Sequence, residues 1–91
     1  MSVSFAGDVL HLFRPIDIQH MRLHQVLLDE YTYMSNAAGD DTFPDHANAR
    51  NVYDALSPKP PNLPYMPPGG PYWSPQQLQL FNQWMTDGFQ P

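Results

Sequence analysis

Eight of the eighteen residues from Pro58 to Pro75 are proline. At that density the fixed φ and the missing N–H exclude helix interiors and central strands from about a fifth of the chain. With 91 residues in all, only one core can form, because a domain of this size hides roughly 60–65% of its unfolded surface. Whatever flanks the proline segment must build that core. Leu63, Tyr65, Met66, Tyr72 and Trp73 are interleaved with the prolines. A linker would not carry so much apolar surface, so the segment reads as an ordered loop wrapped over the core.

The flanks read as helices. Ser4 suits an N-cap, and Phe5, Val9, Leu10, Leu12 and Phe13 share a broad helical face before Pro15 stops the pattern. That predicts a first helix over 5–13, with Gly7 weakening it by roughly 1 kcal/mol. Pro15 suits the first turn of a short second helix along which Ile16, His20, Leu23 and His24 recur at three- and four-residue steps. From Val26 to Met34, Asp29 can cap a brief turn that buries Tyr31 or Met34, and strand is the other reading. The small polar run 35–41 predicts a loop. Ala47, Val52, Ala55 and Leu56 mark a helix that ends before Pro58, with Asp45 favouring its positive end. The closing helix is the most strongly marked. Ser74, Pro75 and Gln77 form a capping-box pattern, Leu78, Phe81, Trp84 and Met85 line one face, and Gly88 stands at the C-terminal cap, predicting helix over 75–87. The expectation is one all-α domain over residues 1–91, with about four helices and a long proline-rich loop.

Composition excludes several functions. Four Lys and Arg against nine Asp and Glu give a net charge of −5, which repels nucleic-acid phosphates and anionic membranes alike. Neither is an expected partner. The chain has no cysteine, so disulfides, thiolate metal sites, thiol nucleophiles and thioether-linked haem are all excluded. A basic segment followed by an apolar one is missing at the start, which predicts a cytoplasmic protein. No apolar run approaches the roughly 20 residues of a membrane span.

The order of parts is similar to that of another family. An opening helix Val3-Ser4-Phe5-Ala6-Gly7-Asp8-Val9-Leu10-His11-Leu12-Phe13 precedes a long middle. The segment Tyr65-Met66-Pro67-Pro68-Gly69-Gly70 and a closing helix from Leu78 to Gly88 follow. In this the chain resembles the small c-type cytochromes over nearly its whole length. In that family a CxxCH segment after the first helix binds haem, a Met-Pro-Pro loop supplies the second axial ligand, and the last helix packs across the first. Met66 stands where that ligand would be. In place of CxxCH, however, this chain reads Arg14-Pro15-Ile16-Asp17-Ile18-Gln19-His20-Met21. The resemblance therefore implies a haem-free relative of the cytochrome c domain, a cytochrome c-like helical fold without its covalent cofactor.

Two sets of residues are candidates for chemistry or recognition. His20 and His24, four apart, project from one face of a helix and could hold a metal. Met21, Met66 or His11 would complete a nitrogen and thioether set suited to copper. Met66 opposite His20 or His24 would instead suit a noncovalently held haem. The plain alternatives are half-exposed histidines and a methionine that fills a gap under the loop. The second set is Leu63, Tyr65, Tyr72 and Trp73, which could present an apolar and aromatic ridge to a protein partner or pack inward. Asp40, Asp41 and Asp45 lack the glycine and glutamate of a calcium loop and read as a solvated turn. Neither a Gly-x-Ser-x-Gly elbow nor a phosphate-cradling glycine loop is present, and no enzyme activity is expected. The expected function is a haem-free accessory module acting through protein contacts, with an as yet unidentified protein partner. A copper or noncovalent haem carrier using His20, His24 and Met66 is the alternative.

Overall fold

Ser4 starts the first helical element by making two local bonds. Its Oγ accepts from the Gly7 N–H at 3.0 Å, and its own N–H donates to Asp8 Oδ2 at 2.9 Å. The Ser4 carbonyl then accepts from both Asp8 and Val9. That shared acceptor widens the turn, so Phe5–Val9 is a π-helical segment and Leu10–Leu12 tightens into a 3₁₀ turn. The single regular helix expected over 5–13 is thus replaced by two irregular turns. Gly7 has a positive reason to be there, because a Cβ would stand 2.7 Å from the Ser4 hydroxyl. Phe13 and Arg14 are extended, and for Arg14 the following Pro15 disfavours the helical alternative.

The computed structural model describes residues 3–58 and 72–91, and these residues form an all-α arrangement. After the opening turns come α1 (Pro15–Arg22), α2 (Tyr31–Met34), α3 (Ala47–Leu56) and α4 (Pro75–Thr86). Most of the proline-rich segment, with Leu63, Tyr65 and Met66, lies outside the described residues. Pro15 and Pro75 each occupy a helix's first turn. At α4 the capping box is complete: Ser74 Oγ accepts from Gln77 N at 3.2 Å, and Gln77 Oε1 accepts from Ser74 N at 2.8 Å. Gly88, at φ +99°, then takes the left-handed conformation that ends the helix.

Two local expectations change. The second helix stops at Arg22, because Gln25 adopts φ +63° and the chain turns back there. The turn 31–34 is helical and buries Met34, but Asp29 does not cap it; its carboxylate binds Arg22 instead.

The core forms where the opening turns, α3 and α4 meet. Val9, Leu28, Met34, Ala49, Phe81 and Trp84 are completely buried. Phe5 packs on Trp84 with ring centres 5.6 Å apart, and Phe81 meets Trp84 edge-on at the same distance. The first described residues meet the last ones. Ser4 and Gln90 form a parallel bridge, Phe5 N donates to the Gln90 carbonyl at 2.9 Å, and Trp84 Nε1 donates to that carbonyl at 2.8 Å. Phe89 sits at φ +59°, strained for so bulky a residue. Burial of its ring, stacking on His46 at 3.8 Å and a 2.6 Å bond from Tyr31 Oη to its carbonyl offset that cost.

Candidate functional site

Among the described α-helices, α1 is the one that buries no residue. At 100° per residue its apolar side chains fall on two opposite faces. Ile18 and Met21 are half-buried against the core. Ile16 and Leu23, with His20 between them, face outward, and Ile16 is 67% and Leu23 80% exposed. The recurrence that marks this helix in the sequence therefore falls on its solvent side. A stripe of period 3.6 shows that a helix has a face without saying which way it points. The signal for two faces is the second pair, Ile18 and Met21.

Ile16, Gln19, His20 and Leu23 line a shallow depression of about 260 Å³. The charges around it are paired among themselves. Arg14 grips Asp17 with two bonds of 2.7 and 3.0 Å, which raises the guanidinium further above its already high ordinary value. Arg22 reaches Asp29 at 2.7 Å and Glu30 at 3.2 Å. This closes the helix end over the following turn.

His24 does not lie on the helix, contrary to expectation. Leu23 caps α1, and the His24 N–H donates to the Met21 carbonyl in the reversing turn. That turn nevertheless brings the imidazoles together, with ring centres 5.3 Å apart and planes at 62°. Both histidines are exposed. Met21 turns to the core side, where it lines a cleft of about 170 Å³ with Val26, Tyr33 and Val52. His11 is exposed, and Met66 lies outside the described residues. Among the described residues, no group of three or more His, Asp or Glu side chains is placed to hold a metal ion.

The aromatic candidates divide. Trp73 is half-buried, 5.3 Å from Phe13 and 6.1 Å from Phe81, so much of its ring belongs to the core. Tyr72 is 37% exposed. Leu63 and Tyr65 are outside the described residues.

The acidic turn performs a structural task. Asp40 Oδ1 accepts from the N–H groups of Thr42 and Phe43, both at 2.8 Å, and Oδ2 accepts from Asn51. Chiefly the Phe43 bond, with those from Asn51 and Thr42, holds its carboxyl below the ordinary range. Asp45 is lowered by Arg50, at 2.7 Å, and then by His46. Burial raises the Tyr33 phenol.

Comparison with protein-family models, curated proteins and solved structures finds no match to this chain. No helix among the described residues is long and apolar enough to cross a membrane.

Proposed function

We propose that this chain is a haem-free relative of the cytochrome c domain that serves as a non-catalytic accessory module, docking a protein partner through the outer face of α1. The observation that carries this reading is the exposure of Ile16 and Leu23 one above the other on a helix whose nearby charges are already paired. Large apolar side chains aligned in water favour a covering surface, and the flanking Arg14 and Arg22 are already engaged by carboxylates of this chain, so the apolar pair is what a partner would meet here. The matching partner surface is therefore apolar. Tyr72 extends the candidate surface. Its neighbour Trp73 rests on Phe13, just before α1 begins. The cytochrome c part of the proposal draws support from the packing of the opening turns on the closing helix, through Phe5 and Trp84. The order and contact of these two elements are what the resemblance implies.

Two side chains of this size cover little area, so the contact belongs to the transient class below roughly 1,200 Å². A photo-cross-linking residue placed at position 23 in the native host tests it. The expected result is one discrete heterologous adduct, lost when Ile16→Asp is added and missing from a probe at exposed position 79. Equal labelling from both positions, an adduct containing only a second copy of this chain, or no adduct would overturn the proposal.

A further inference from the structure

The paired imidazoles at the end of α1 have a use that partner docking does not require. We propose that His20 and His24 form a two-nitrogen chelate for a late first-row divalent ion, Cu(II) above all, whose other coordination positions stay open. A metal–imidazole bond is roughly 2.0–2.1 Å long. Two rings on one ion at cis or tetrahedral angles then have centres roughly 4.5–5.2 Å apart. The rings here are 5.3 Å apart. In ring separation the pair is thus within a few tenths of an ångström of a chelating one, and exposed side chains can turn their nitrogens toward a shared ion by χ rotations.

The backbone supplies the preorganisation. The helix presents His20, and the turn that follows brings His24 back beside it through the His24 N–H to Met21 carbonyl bond of 2.9 Å and the left-handed Gln25. An unstructured pair at this spacing would lose conformational entropy on chelation that this pair has already lost in folding. The donors select the ion. Two imidazoles without a thiolate or a converging carboxylate suit borderline ions, among which the affinity order peaks at Cu(II). Calcium and magnesium prefer oxygen donors and are not candidates. Because His20 also lines the depression with Ile16 and Leu23, the open positions lie at the edge of the face proposed to dock a partner.

Titration of the full chain with Cu(II), followed by calorimetry and electron paramagnetic resonance, tests the site. The expected result is one equivalent bound at micromolar or tighter affinity, with nitrogen hyperfine structure from two imidazoles. His20→Ala and His24→Ala should each weaken binding by at least about tenfold, since the second donor acts at high effective concentration. The double variant should add little to either one. His11→Gln and His46→Gln should bind as the parent does, and far-UV circular dichroism of the His20 and His24 variants should match the parent because both side chains are exposed. Unchanged affinity in His20→Ala or His24→Ala, loss of binding in His11→Gln, or millimolar binding would overturn the proposal.

Discussion

Helices α4 and α1 begin alike and end up in opposite roles. Each has proline in its first turn after an extended residue. In α4, Phe81 and Trp84 are fully buried and Met85 nearly so, whereas α1 buries nothing. The difference lies in where the apolar residues fall. Residues 78, 81, 84 and 85 crowd one face of α4, so one docking event covers them all. In α1 the apolar residues are split, and docking Ile18 and Met21 necessarily turns Ile16 and Leu23 to water. A helix with two apolar faces spends one on the core and keeps one for something else.

Changes in α4 should be severe and equivalent changes in α1 mild. Trp84 anchors the core, packs on Phe5, Phe81 and Phe89, and donates to the Gln90 carbonyl that also accepts from the Phe5 N–H. Trp84→Ala should cost about 3–5 kcal/mol, a large part of the stability of a domain this small. Thermal unfolding followed by near-ultraviolet circular dichroism should show loss of the cooperative transition near room temperature. The caps give the next contrast. Ser74→Ala removes one half of a complete capping box and should cost about 1 kcal/mol in urea unfolding. Arg14, the residue before α1, makes no side-chain cap bond, and among the described residues it pairs with Asp17 at the surface. Arg14→Ala should cost less than Ser74→Ala.

Acid should produce a smaller, graded loss from a region outside both helices. Asp40 and Asp45 hold their protons less tightly in the folded chain than in the unfolded one. Such groups stabilise the fold at pH above their ordinary value of 3.8, and that contribution disappears as pH falls through their lowered folded values. Urea midpoints should therefore fall below about pH 4, and the fall should be shallower in Asp40→Asn and Asp45→Asn. Both groups are exposed and screened, so the effect is modest.

The strongest parts of the fold were readable because they are local. Ser74, Pro75 and Gln77 specify a helix start by chemistry that acts within four residues, and α3 and α4 appear with nearly the expected ends. The irregular opening was not readable, because it depends on one carbonyl, that of Ser4, serving two donors. Burial of Phe89 was equally hidden. It follows from Trp84, five residues back, together with His46 and Tyr31, which reach it from distant parts of the chain. The histidine pair was visible by spacing, but for the wrong reason, since a turn and not a helix brings His24 to His20. The exposed ridge on α1 was visible as periodicity alone. Only tertiary packing decides which of two apolar faces meets the core.

The claim that Ile16 and Leu23 serve recognition and not folding has a direct test in urea unfolding of the Ile16→Ser, Leu23→Ser double variant. The expected result is a stability within about 0.5 kcal/mol of the parent, as for surface positions that touch nothing. A loss of about 2 kcal/mol or more, the signature of buried aliphatic side chains, would show that the chain covers this face itself, and would contradict the account.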